Sequence, residues 1–350
     1  MTDENVDAAI QKGIAFIKSQ RKEGHWETRG GEGKRHWAGR SALAVLALLY
    51  AGEDPRREDM DESLKWLVRQ NMTGTYAIGV RAHALSLVPG RALRAKLDAD
   101  VKWLLKAMFP AGSPEAGGYG YEMHGGSYDH SNSQYGVLGV WMAADAGINV
   151  PDDYWKVVEL RWLDDQRPNG GWTYGRRNGP VTGSMTAAGL ATLFVTLDKA
   201  HAHDQGAFNG YKTPFCGEHK DTQLRLLAAI DRAMSWFAAS FAPDRNPSGS
   251  DRWKHYYLYG VERIGRASGQ KYFRDRDWFK EGAAYLLNSQ QEEGSWLGGY
   301  GNLEDTCFAL MFLSHGRAPL LFSKLQHGED WNNKLRDVAG LTRYAEKRFE

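Results

Sequence analysis

Cysteine is scarce. Cys216 and Cys307 are the only two in 350 residues and lie far apart in sequence, so no disulfide framework is expected and cysteine usage gives no compartment. An excess of one charge is missing as well: 44 Lys and Arg face 43 Asp and Glu, which leaves no basic field for nucleic acid or an anionic membrane. No apolar run approaches the roughly 20 residues of a membrane-spanning helix. The opening Met1-Thr2-Asp3-Glu4-Asn5 has neither a basic nor an apolar stretch, so no signal peptide is expected in this chain.

Aromatics and glycine are plentiful instead. The 13 Trp, 16 Tyr and 13 Phe can build a sizeable core, and 40 Gly imply many turns or helices that approach closely. The organising feature is a returning pattern of Gln, three residues, Gly, one residue, aromatic. It occurs at Gln20–Gly24–Trp26, Gln166–Gly170–Trp172 and Gln290–Gly294–Trp296, with a weaker copy at Gln70–Gly74–Tyr76. Degenerate copies fill the gaps at Gly117-Gly118-Tyr119 and at Pro247-Ser248-Gly249 leading to Trp253.

Two kinds of helix flank each copy. The one before is amphipathic, as in Ile10, Ile14 and Ile17 ahead of Gln20. The one after is apolar nearly all round, as in residues 41–50, 133–146, 184–197 and 306–313. A helix apolar on all sides must be buried on all sides. The pattern therefore predicts an all-α fold, an (α/α)6 toroid of six helical hairpins with inner and outer helix rings. One domain is expected over residues 1–325, with an insertion at 198–221 and a tail at 326–350 that leads towards a further domain. In this ring the motif Gly supplies a left-handed turn, the Gln amide satisfies helix-end carbonyls, and the aromatic covers the turn.

The Gln-x-x-x-Gly-x-Trp pattern resembles that of squalene-hopene and oxidosqualene cyclases, whose toroid is related to protein prenyltransferase β subunits. Residues 128–141, 183–190 and 277–308 are similar to the bacterial prenyltransferase/squalene-oxidase-repeat proteins. That resemblance implies a toroid commonly exported and joined to another domain; without export the chain would be cytoplasmic.

Inner-helix N-termini in such a ring converge on one mouth, where their dipoles favour anions. Candidate residues there are His36 and Trp37, Tyr76, Asp129 and His130, Thr182 and Ser184, His255, Tyr256 and Tyr257, and Glu304, Asp305 and Cys307. The loop 117–132 adds Glu122, His124 and Tyr128, an aromatic and polar mixture suited to a concave ligand site. The resemblance offers two chemistries for the last hairpin. Glu304 and Asp305 align with the acidic motif of class II cyclases, in which a buried carboxylic acid protonates an alkene. Asp305 and Cys307 align with the zinc ligands of prenyltransferases, to be completed by His36 or His255. The plainer reading makes Asp305 a helix cap accepting from the backbone of Cys307 or Phe308, with Glu304 solvated at the mouth. No cofactor is expected; the alternative is zinc.

The insertion carries His201, His203, Cys216 and His219 and is read as a solvated excursion. The expected function is binding, of a hydrophobic small molecule in the cavity or of another domain or protein on the loops, within a larger bacterial protein. The alternatives are an isoprenoid-processing enzyme using Glu304 and Asp305, and a carbohydrate-active toroid drawing on Asp129, Glu122 and Arg176.

Overall fold

Burial of two apolar faces per hairpin decides the architecture. The computed structural model describes residues 2–28, 30–176, 179–201 and 220–317, with 337, 338, 341, 344 and 345 in the tail. Cys216, His203 and His219 lie outside the described residues. Outer helices are α1 (Asp3–Ser19), α3 (Glu58–Arg69), α5 (Arg91–Ala107), α7 (Asp152–Asp165), α9 (Lys220–Ser240) and α11 (Trp278–Ser289). Inner helices are α2 (Gly39–Tyr50), α4 (Thr75–Ser86), α6 (His130–Asp145), α8 (Gly183–Ala200), α10 (Lys254–Ser268) and α12 (Asn302–His315). A two-residue ribbon, β1 (Tyr272–Phe273) with β2 (Arg276–Asp277), leads into α11.

The inner helices form a closed ring, each packed on the next from α2 round to α12, and α12 returns to α2. They are buried on nearly every side, as residues 41–48 of α2 illustrate. Outer helices bury one stripe: Val6, Ala9, Ile10, Gly13, Ile14 and Ile17 in α1. Glycine lets the tightest pair, α4 and α6, approach. A Cβ on Gly79 would sit 2.3 Å from the Tyr135 carbonyl oxygen, and one on Gly139 2.7 Å from that of Gly79.

The repeated motif has one geometry in three hairpins. Trp26, Trp172 and Trp296 are buried, and each indole N–H donates to a carbonyl in the last turns of the preceding outer helix: Ile17 at 2.7 Å, Trp162 at 2.9 Å and Leu286 at 2.8 Å. Each backbone N–H of the same residue donates to a hydroxyl on the next inner helix, Ser41, Thr186 or Thr306. Tyr119 repeats that second bond with Ser133. The glutamines differ from the sequence expectation. Gln166 Nε2 donates to the Gly170 and Ala229 carbonyls, and Gln290 Nε2 to those of Gly294 and Ala9. They therefore tie the turn to the next outer helix, and Gln290 closes the ring onto α1. Gly170 and Gly294 have φ of +92° and +98°, and a side chain at either would meet the next helix's backbone at 2.4 Å. Trp253 departs from the repeat: it ends a short 3-10 turn and is 37% exposed.

Candidate functional site

All six inner helices begin at the same end of the ring. There α12 meets α2 through Glu304 and Arg40, with Arg40 Nε 2.8 Å from Glu304 Oε1. Glu304, expected to be solvated, has a side chain only 14% exposed and paired with Arg40. Tyr76 from α4 completes this floor. Burial, then the neighbouring Tyr300, Glu304 and Cys307, pushes its phenol well up.

Asp305 corrects the cap expectation. It lies one turn inside α12, buried, and its Oδ2 accepts from the backbone N–H groups of Gly298, Tyr300 and Gly301 in the loop before the helix, at 3.0–3.3 Å. Its Oδ1 lies 3.0 Å from His255 Nδ1, so Asp305 locks the last loop to α10. His255 is itself buried, with Nε2 lacking a partner among the described residues. The Cys307 thiol is buried, and burial followed by Glu304 raises its pKa well above the usual thiol range, which opposes the thiolate that zinc requires. His36 packs elsewhere, edge-on to Tyr121, and no three His, Cys, Asp or Glu side chains gather for a metal among the described residues. The donor set Asp305, Cys307, His36 and His255 thus does not fit zinc.

Three candidates from the loop 117–132 serve the scaffold. Asp129 caps α6, accepting from Asn132 N at 2.7 Å and Asn132 Nδ2 at 2.8 Å; burial raises its pKa against those bonds. The Tyr128 hydroxyl donates to Asp165 Oδ2 at 2.5 Å, and His130 bridges the same oxygen and the Thr173 carbonyl. Arg161 lies 3.4 Å from Asp165 and joins this buried network between hairpins three and four. Burial works against the Asp165 carboxylate, yet the bonds from His130 and Tyr128 and the Arg161 charge hold its pKa low. Trp37 also turns away from the mouth, donating to Gln70 Oε1 and packing on Trp66. Glu122 and His124 are exposed on the loop. His201, read as part of a solvated excursion, is buried against Glu159 at 2.9 Å.

What surrounds the floor is aromatic. On one side the Tyr121 hydroxyl lies 2.6 Å from that of Tyr174, and Arg35 sits 4.2 Å over the Tyr121 ring. On the other side Trp253 and Tyr300 pack with ring centroids 4.4 Å apart. Tyr174 and Tyr300 are 47% and 45% exposed, so these rings face solvent rather than the core. The two sides belong to one mouth: the Tyr300 phenol is raised by burial, then by Glu304 and Tyr121. Tyr121 lies in the loop 117–132 that the sequence marks as a ligand site, but its grouping with Tyr174, Trp253 and Tyr300 is not legible there, because the four come from separate loops. Their signal was weak but present: bulky aromatics among Gly, Ser and Asn in turns that need no core residue.

Below the floor, side chains cross the axis. Tyr256 of α10 passes α8 to meet α6, its hydroxyl 3.1 Å from Ser131 Oγ and accepting from the Gln134 amide. This crossing is open because α8 is built of small residues there, Gly183, Ser184, Ala187, Ala188 and Ala191. Tyr135 packs between Tyr76 and Tyr256, at 4.7 and 6.1 Å between centroids, and Phe308 lies 5.5 Å from Tyr256. Beneath the mouth, an aromatic layer of Tyr76, Tyr135, Tyr256 and Phe308 thus crosses the ring.

No family model matches the sequence, and no curated protein matches it. A solved structure shares its fold. The glycoside hydrolase family 76 mannosidase Bt3792 of Bacteroides thetaiotaomicron superposes with TM-score 0.55 at 8% identity, covering 89% of this chain and 98% of that one. The type II terpene cyclase MstE of Scytonema aligns over 90% of this chain and 98% of its own, at 13% identity and TM-score 0.38. No helix among the described residues is long and apolar enough to cross a membrane. The chain is an (α/α)6 toroid, and its chemistry must be argued from its side chains.

Proposed function

We propose that this toroid binds a carbohydrate chain across its mouth. The observation that carries the reading is the pairing of solvent-facing rings from four loops with a charged floor: Tyr121, Tyr174, Trp253 and Tyr300 around Arg40 and Glu304. Sugar rings present flat C–H faces that stack on such aromatics, while their hydroxyls bond to guanidinium, carboxylate and phenol groups. A rim of solvent-facing rings accepts a chain that continues beyond it. An isoprenoid would instead call for an enclosed apolar cavity rather than solvent-facing rings beside a charged pair.

The same geometry favours binding over cleavage. Glycoside hydrolysis uses two carboxyl groups roughly 5–10 Å apart, one of them held protonated as an acid. Asp305 is taken up by three backbone N–H bonds and its contact with His255, and Glu304 by Arg40, so neither is free to serve as one of that pair. The test is affinity electrophoresis and calorimetry with mannan, β-glucan and xylan. At least one should retard the protein, and Trp253→Ala or Tyr300→Ala should weaken binding about tenfold or more, as loss of a stacking platform does. Absence of retardation by all three would overturn the reading. So would conversion of squalene to a cyclic product that disappears in Glu304→Gln.

A further inference from the structure

The mouth carries more positive charge than its ion pairs use. Arg35 and Arg252 are both exposed at this end, and neither has a carboxylate within ion-pair distance among the described residues. Each is held by its Nε. Arg252 Nε donates to the Gly299 carbonyl at 3.1 Å, and Arg35 Nε to His36 Nε2 at 3.2 Å. Burial, then the Arg35 charge, lowers the His36 pKa, so its ring is neutral at pH 7 and accepts that bond. The terminal nitrogens of both guanidiniums have no hydrogen-bond partner among the described residues. A guanidinium anchored in this way keeps a planar fork that matches an oxyanion with two parallel bonds.

Each fork adjoins a pair of rings. Arg252 precedes Trp253 in the chain, and its anchor Gly299 precedes Tyr300; those two rings lie 4.4 Å apart and are 37% and 45% exposed. Arg35 sits 4.2 Å over the Tyr121 ring, whose hydroxyl is 2.6 Å from that of Tyr174. Direct contacts join the two pairs. The Tyr174 carbonyl accepts from His130 N at 2.9 Å, Ser131 Oγ lies 3.1 Å from the Tyr256 hydroxyl, and the Tyr256 ring is 6.4 Å from that of Trp253.

The nearby carboxylates are occupied. Glu304 faces Arg40, Asp305 and Asp129 accept from backbone N–H groups, and Glu27 accepts from Ser41 N at 2.8 Å. Asp251, beside Arg252 in sequence, accepts from Asn246 N at 3.3 Å. Glu32 and Glu122, exposed on their loops, are the exceptions.

We propose that the sugar chain bound at this mouth is acidic, a polysaccharide whose units carry carboxylates. A uronic acid presents a C–H face and a carboxylate on the same ring, so one unit engages a ring pair and its neighbouring guanidinium together. A neutral chain gains the stacking alone. The inference rests on the carbohydrate reading and narrows it.

The experiment is calorimetric titration of the whole chain with polygalacturonate and with alginate, each beside its neutral ester, which keeps the backbone and removes the charge. At least one acidic chain should bind about tenfold tighter than its ester, as hydrogen bonds to a charged group allow. Arg35→Gln combined with Arg252→Gln should bring that ratio close to one with an unchanged circular-dichroism melt, since both side chains are exposed. Polyglutamate, which has carboxylates but no sugar, should bind about tenfold more weakly than the acidic polysaccharide. Neutral chains that bind as tightly as acidic ones overturn this inference and leave the carbohydrate reading standing. Failure of every polysaccharide, neutral or acidic, overturns both. A preference that survives in the double variant, or polyglutamate binding as tightly as the acidic polysaccharide, overturns the pairing of guanidinium and rings.

Discussion

Trp296 and Trp253 lie 43 positions apart in neighbouring hairpins and do opposite things. Trp296 is fully buried, bonded through both its indole and its backbone N–H, with its ring against Gly13 of the first helix. Trp253 is more than a third exposed, with its ring against Tyr300 and Tyr256 at the mouth. What separates them is the local frame. Trp296 follows a Gln and a left-handed Gly that fix its entry into the ring, whereas Trp253 ends a 3-10 turn outside that frame. In this fold an aromatic inside the repeat is a wedge, and one outside it is free to face a ligand.

The sharpest way to break that comparison is to truncate the wedge. Trp296→Ala removes a fully buried indole at the seam where the last hairpin meets the first, and the site has little freedom to collapse. Loss of about 3–5 kcal/mol of unfolding free energy is expected, read by chemical denaturation. Trp172→Ala should behave alike, since its bonds to Trp162 and Thr186 repeat those of Trp296. A cost under about 1 kcal/mol at either position would mean that the repeat geometry does not hold the ring.

A smaller effect sharpens the role of the motif glutamine. Gln290→Ala deletes two bonds, to Gly294 and to Ala9 on α1, and leaves one or both carbonyls dependent on water. About 1–2 kcal/mol is expected. Gln20→Ala serves as the control, because Gln20 is exposed and its amide reaches only Ser19 among the described residues. Equal costs at the two positions would contradict the closure role of Gln290.

The toroid was legible because its signal is repeated: apolar-all-round helices alternate with amphipathic ones, and Gln, Gly and Trp punctuate them. The hydroxyl partners Ser41, Thr186 and Thr306 were legible in principle as polar residues early in otherwise apolar helices. The site was harder to read. Tyr128 and His130 look like a ligand cluster in sequence, but Asp165, some 35 positions later, claims both. Asp305 sits at a helix start and was read as its cap. The distinction depends on the path of the loop at Gly298–Gly301, which folds its N–H groups onto the carboxylate. Asp129, a candidate ligand residue in sequence, accepts from Asn132 as the cap of α6. Contacts between hairpins, unlike contacts within one, leave no periodic trace.

The smallest stability effect belongs to Trp253→Ala. Its ring contributes neither an indole bond to a helix end nor a filled core volume, and Tyr300 can relax into the space it leaves. Substitutions at such positions change stability by about 0.5 kcal/mol or less. The same change removes a face of the proposed sugar platform, so binding should fall while the melting curve stays in place. Trp296→Ala should show the reverse pattern: a large loss of stability and, in the fraction still folded, undiminished affinity per folded molecule. Measuring both quantities on both variants separates wedge from platform. If Trp253→Ala unfolds the protein as readily as Trp296→Ala, the mouth aromatics belong to the scaffold, and the contrast between the two tryptophans disappears.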